Sequence, residues 1–284
     1  MSFKGIGYTQ VSDKDTVEFK KHVLFLCHDS LEGRAAGSEG EMIAVQYVED
    51  IFQSLKLDRF FKNGYAESFI FIDDDGDVKV SRNVAAFINN DTDSTILIMA
   101  HVDHLGMGGV HSMSYTNSKI HYGADDNASG IAALLFLAGY LKNKEFKKYN
   151  YLLLVTGAHE PGYFGAGSFV RKYGNQLPRL KLVLNLDMVG RMKRNEQLIY
   201  VCINEASESI FDYIKFHLSV MTFKVSVAEL LEGDHTPFDK AGFKSIQITT
   251  GMHQDYHKVS DTPDKLNYQG ILNVVNFILE IVKL

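Results

Sequence analysis

Five short apolar runs set the architecture of this 284-residue chain. They are Asn83–Ile88 (NVAAFI), Thr95–Ala100 (TILIMA), Tyr151–Thr156 (YLLLVT), Lys181–Leu186 (KLVLNL) and Ser245–Thr249 (SIQIT). A strand with one wet face alternates apolar and polar residues, whereas a strand covered on both faces is apolar throughout. These runs do not alternate, so helices must cover both sides of the sheet they form. The chain supplies such helices. Met42, Ile43, Val45, Val48, Ile51, Phe52 and Leu55 recur at helical spacing, and Ile131–Leu141 is almost wholly apolar. Ile271, Leu272, Val275, Ile278 and Val282 fall on one stripe of a last helix. Asp261-Thr262-Pro263 just before it reads as its cap and first turn. Strands alternating with helices predict an α/β chain: a three-layer α/β/α sandwich around a mixed, mostly parallel sheet, with residues 1–284 forming one domain. In such folds ligands bind beyond the carboxyl ends of the strands.

Composition narrows the function classes. The net charge of −6 offers no basic surplus for phosphates, so no nucleic-acid partner is expected. No apolar run is long enough to span a membrane. The first fifteen residues, MSFKGIGYTQVSDKD, contain no signal-peptide core, which predicts a cytoplasmic chain unless a leader has been removed. Cys27 and Cys202 form no CxxC pair and read as two buried free thiols.

Chemistry-bearing residues collect just after the apolar runs and in glycine-rich loops. His101 follows TILIMA, with Asp103 two residues on. Asp125 and Asp126 lie in HYGADDNASG, directly before the apolar helix. Glu160 follows YLLLVTGAH, Asp187 follows KLVLNL, and His257 lies in QDYHKVSD after SIQITT. Imidazoles mixed with carboxylates suit zinc, cobalt or manganese. Two such ions a few ångströms apart need a bridging ligand, for which a carboxylate serves. A carboxylate near a ligating histidine can fix its tautomer. His104, His111, His121 and His253 read instead as cap or solvated loop residues.

Six stretches, in order along nearly the whole chain, resemble the zinc aminopeptidase family that includes bacterial leucyl aminopeptidases and glutaminyl-peptide cyclotransferases. Glutamate carboxypeptidase and the transferrin receptor are distant relatives. The stretches are LEGRAAGSEGE (Leu31–Glu41), AHVDHLG (Ala100–Gly106), GADDNASG (Gly123–Gly130), NLDMVGR (Asn185–Arg191), GDHTPF (Gly233–Phe238) and DYHKVSDTPD (Asp255–Asp264). GADDNASG is the most specific of them. The resemblance implies a zinc-peptidase-like (phosphorylase/hydrolase-like) fold and two divalent ions, zinc in the first instance, with cobalt or manganese as alternatives. It implies that Asp125 bridges both ions, that His101 and Asp187 complete one ligand set, and that Glu160 and His257 complete the other. Asp103 would orient His101 from behind, and Asp126 would be a further carboxylate beside the bridge. Tyr256 and the loop Met107–Tyr122 would wall the substrate pocket. The activity implied is that of a metal-dependent exopeptidase, an aminopeptidase acting on the N-terminal bond of a peptide.

One position departs from the family pattern. Relatives carry two consecutive glutamates here, the first a general base and the second a metal ligand; this chain has His159-Glu160. Shifting the register does not restore the pair, because Pro161 offers no side-chain ligand. Three readings follow. His159 is the base, since neutral imidazole is competent for that task; or it is an extra metal ligand; or the protein binds metal and peptide with weakened or no turnover. Glutaminyl cyclisation is a further alternative, less suited to an intact DDNASG stretch.

Overall fold

The computed structural model describes residues 15–115, 118–177, 179–195, 198–209, 211–212, 224–227 and 232–284. Among them run nine strands: β1 Asp58–Arg59, β2 Ala66–Ile72, β3 Val78–Ile88, β4 Thr95–His101, β5 Asn150–Thr156, β6 Leu180–Leu186, β7 Leu198–Ile203, β8 Lys224–Val227 and β9 Ser245–Thr249. The helices are α1 Thr16–Leu26, α2 Glu39–Ser54, α3 Gly130–Tyr140, α4 Phe164–Tyr173, α5 Thr236–Lys240 and α6 Tyr268–Lys283. The strands form one mixed sheet in the order β1-β3-β5-β4-β6-β9-β7-β8, with β2 also paired to β3.

Four central strands, β5, β4, β6 and β9, run parallel. The flanking pairs β3–β5 and β7–β9 are antiparallel. All seven residues of β5 are buried, as the unbroken YLLLVT run requires. Successive side chains of a strand alternate between faces, and the core divides accordingly. Ile96, Ile98 and Ala100 of β4 join the larger cluster with α1, α2, α3 and α6. Leu97 and Met99 join a smaller cluster with Ala166 and Phe169 of α4 and Phe238 of α5. The predicted three layers are therefore present. All eleven residues of α3 except Gly139 and Tyr140 are buried, which explains its lack of a polar face.

The differences lie at the margins. The predicted strand at Asn83–Ile88 is the inner half of β3, whose outer half pairs with β2 in a projecting hairpin. Asp261-Thr262-Pro263 does not start the last helix. Pro263–Lys265 forms a separate short turn, and Asn267 caps α6 by accepting from the Gly270 N–H. An asparagine carbonyl can cap as well as an aspartate, and Asp261 is committed elsewhere. Cys27 and Cys202 are both buried, and neither is in a disulfide. No helix among the described residues is long and apolar enough to cross a membrane.

The topology locates a site. From β4 the chain crosses through α3 to β5 on one side, and from β5 through α4 to β6 on the other. β4 is thus a switch point, where two crossovers part and leave a crevice beyond the strand ends.

Candidate metal centre

Each of the four parallel strands delivers a residue to that crevice. His101 is the last residue of β4, His159 and Glu160 follow β5, Asp187 follows β6, and His257 follows β9. The kinked turn Ala124–Ser129 brings Asp125 and Asp126 beneath them, ahead of α3. His101 Nδ1 donates to the main-chain oxygen of Asp103 at 3.2 Å. That hydrogen bond fixes the tautomer and frees Nε2. Nε2 then faces Asp126 Oδ1 at 3.3 Å and Asp187 Oδ1 at 3.5 Å. His257 repeats the device from the other side. Its Nδ1 donates to the His111 carbonyl at 2.9 Å, and its Nε2 stands 3.3 Å from both Asp126 Oδ2 and Glu160 Oε2.

These distances are longer than hydrogen bonds and suit a shared cation. Ligand atoms about 2.0–2.1 Å from a tetrahedral zinc lie roughly 3.3 Å from one another. His101 Nε2 is buried without a hydrogen-bond partner among the described residues. His101, His159 and Asp187 each offer an atom within 4.8 Å of the others, as do His104, Asp126 and Glu160. His104 Nδ1 is only 2.7 Å from Glu160 Oε1, a direct hydrogen bond. Its place is therefore to orient Glu160, while His257 faces the space between Glu160 and Asp126. The donor set fits divalent metal.

Asp126, not Asp125, lies between the two groups. The reason is local. Asp126 sits at φ −104° and ψ 90°, off the helical path, so the two neighbouring side chains diverge. The Asp126–Asn127 peptide bond is cis. Asp125 turns away and accepts from the Gly190 N–H at 2.6 Å and the Ser129 hydroxyl at 3.0 Å. Its other oxygen faces His253 Nε2 at 3.1 Å. Asp261 accepts from the main-chain N–H of both aspartates, at 2.8 and 3.2 Å.

Asp103 also differs from expectation. Its carboxylate is 3.9 Å from His101 Nδ1, and it accepts instead from the main-chain N–H groups of His159 (2.9 Å) and Glu160 (3.0 Å). It thus pins the turn that carries both residues. Tyr256 lies flat against the His257 ring, 3.8 Å away. His104 and His253, expected to be bland, belong to the site's surroundings. His111 pairs with exposed Asp74, and His121 with Ser112.

Sequence reasoning did not foresee the partner of His159. Its Nδ1 lies 3.1 Å from Asp234 Oδ2, which also accepts from the Thr156 hydroxyl at 2.7 Å. The imidazole stacks on His101 at 3.7 Å. Burial and the neighbouring His101 push its pKa down, but the Asp234 carboxylate outweighs them and lifts it to about 9. Likewise burial opposes protonation of His257, and Asp126 and Glu160 raise it to about 10. Asp126 and Glu160, whose burial alone would raise them, are held below the usual carboxylate range by the histidines. Crowded carboxylates of this kind demand positive charge.

The profile of Peptidase family M28 matches residues 83–282, most of the chain. The chain belongs to peptidase family M28. It is 23% identical over 207 residues to a probable leucine aminopeptidase of Trichophyton verrucosum, an alignment covering 67% of this chain and 53% of that protein. The chain thus spans about half the length of that relative. Among solved structures it is similar to a zinc aminopeptidase from Bacillus subtilis, with a TM-score of 0.75, 14% identity and 94% of each chain covered. It is also similar to a glutaminyl cyclase from Fimbriiglobus ruber, with a TM-score of 0.79, 17% identity, and 100% of this chain and 99% of that one covered. At such identities these two likenesses establish the fold. For the M28 chain, the residues of the crevice carry the chemistry.

Proposed function

We propose that this chain is a metal-dependent aminopeptidase that holds two divalent ions, zinc in the first instance. The observation that carries the reading is Asp126, whose two oxygens face separate histidines, His101 and His257, at 3.3 Å each. His101, Asp126 and Asp187 would hold one ion, and Asp126, Glu160 and His257 the other. When bound, the ions supply Lewis acidity, lowering the pKa of water and polarising the scissile carbonyl.

The remaining work falls to the protein. Asp234 holds the Nδ1 edge of His159, so Nε2 is the nitrogen left to accept a proton from the attacking water once the ring is neutral, the form that neighbouring dications would favour over the imidazolium. His159 then delivers that proton to the leaving amine. Asp103 pins the His159–Glu160 main chain, fixing the base relative to Glu160. Tyr256 backs His257 and would wall the pocket for a substrate side chain.

A second reading rests on the reach of His159 toward His101 and Asp187. There it serves as an extra ligand, and the protein binds metal and peptide without turnover. One experiment separates the two. Wild type and His159→Glu, each loaded with zinc or cobalt, are assayed on aminoacyl anilides and on a glutaminyl peptide. The proposal expects anilide hydrolysis by wild type. No turnover by wild type with strong turnover by the variant supports the ligand reading; cyclisation of the glutaminyl peptide alone makes the chain a cyclase.

A further inference from the structure

Behind Asp187 the protein buries more polar atoms than it pairs. Among the described residues, Asn185 Nδ2 and Oδ1, Gln247 Oε1, His235 Nδ1 and Asp234 Oδ1 are shielded from solvent and lack hydrogen-bond partners. The four side chains belong to residues no more than 3% exposed. Three of these atoms converge beside Gly233. A methyl carbon placed on its Cα would meet Gln247 Oε1 at 3.3 Å, His235 Nδ1 at 3.4 Å and Asn185 Nδ2 at 3.5 Å, the nearest atoms outside residues 232–234. Buried polar groups nearly always find a partner, and internal water provides it where the protein does not. The three atoms are an amide acceptor, an amide donor and an imidazole nitrogen that can do either. An anion would oppose Gln247 Oε1 and a cation would oppose Asn185 Nδ2, whereas a neutral molecule that both donates and accepts satisfies all three.

We propose that this cradle holds one resident water molecule, bound by Asn185, Gln247 and His235, that fixes Asp187 relative to the Asp234–His159 pair. Gln247 Nε2 reaches Asp187 Oδ2 at 3.5 Å. Nothing among the described residues holds the other end of that amide, so the water decides which way it faces. Through His235 the same water braces the loop that carries Asp234. The proposal rests on the reading of Asp187 as a metal ligand, but its tests do not need turnover.

A high-resolution crystal structure should place a density peak within hydrogen-bond distance of all three atoms. Direct pairing of the three side chains with no peak between them overturns the proposal. Gly233→Ala and Gly233→Ser give a second test, since Gly233 is outside the left-handed region and an added methyl would press only on side-chain atoms, at 3.3 Å and beyond. Alanine displaces the water without replacing its hydrogen bonds; serine brings a hydroxyl in its place. Zinc affinity, measured by chelator competition, should fall about tenfold in the alanine variant and recover in the serine variant. The unfolding midpoint should follow the same order. Alanine indistinguishable from wild type, or serine no better than alanine, overturns the proposal. If the chain binds no zinc, the midpoints and the density still decide the water, while the metal reading fails separately.

Discussion

Asp125 and Asp126 are adjacent and chemically identical, yet the backbone gives them opposite surroundings. Asp126 faces two histidines, whereas Asp125 faces a main-chain N–H, a hydroxyl and the outlying His253. Exchanging each for asparagine should therefore give different results. Asp126→Asn removes charge where both ions would meet, and zinc content should fall below about one ion per chain. Asp125→Asn keeps an acceptor oxygen for Gly190 and Ser129, so zinc content should stay near that of wild type, with a stability change of about 1 kcal/mol. Elemental analysis and urea unfolding measure both. The spacing in GADDNASG shows that a carboxylate precedes α3; which of the two turns inward depends on the φ and ψ of Asp126, which spacing does not encode. A pH effect belongs to the same residues. In the metal-free protein Asp126 and Glu160 raise the His257 pKa to about 10, so its ring is protonated at pH 7, and Asp126 and Asp187 shift His101 in the same direction. Zinc must displace the His257 proton, and its affinity should rise with pH up to about 10, above which His257 is already neutral. Calorimetric titrations near pH 7 in buffers of different ionisation enthalpy should give different heats; identical heats would rule out proton release.

At the scale of elements, the four parallel strands were legible because a fully buried strand has no polar face to confuse the reading. The β2–β3 hairpin was not, since Ile70, Ile72, Val78 and Val80 alternate onto one face that stays exposed, where apolar residues would be expected to be covered. The LEGR stretch was legible as a motif but not as a fastening. Arg34, 1% exposed, donates to the carbonyls of Leu26, Val102, Tyr122 and Gly123. One guanidinium thereby ties α1 to the loop after β4 and to the loop that leads into Asp125 and Asp126. Arg34→Ala strips donors from these carbonyls and should cost roughly 3 kcal/mol, read from denaturant unfolding. Arg34→Lys should recover only part of that, because a single ammonium cannot span the same fork of acceptors. Full stability in the lysine variant would mean that charge alone, without the fork, holds the loops. Asp234 was missed for a related reason. GDHTPF resembles a family loop, but its distance from His159 in sequence hides the contact. Asp234→Asn should lower kcat more than it changes KM, by up to about 10²–10⁴, the range a positioned base contributes. An effect confined to KM would assign Asp234 to substrate binding.

The whole molecule carries a net charge of −6, and part of that charge is concentrated beside the centre. A groove of about 290 Å³ opens from Glu160 and His104 toward Asp73, Asp74 and Asp75, with Phe71 and Val110 along its wall. No lysine or arginine is among its lining residues; Lys79 pairs with Asp73 from outside at 3.6 Å, and His111 pairs with Asp74 across it. A peptide entering by its N-terminus brings a cation, and a lysyl N-terminus brings two. Clefts lined by one sign of charge concentrate the opposite sign, an effect that salt suppresses. The screening length shrinks from about 30 Å at 0.01 M to about 3 Å at 1 M ionic strength. Over that range kcat/KM for a lysyl anilide should fall several-fold more than for a leucyl anilide, with most of the change in KM. His111→Ala removes the partner of Asp74 and should steepen the difference. If lysyl and leucyl substrates respond equally to salt in both proteins, the groove does not lie on the path by which the substrate side chain reaches the centre.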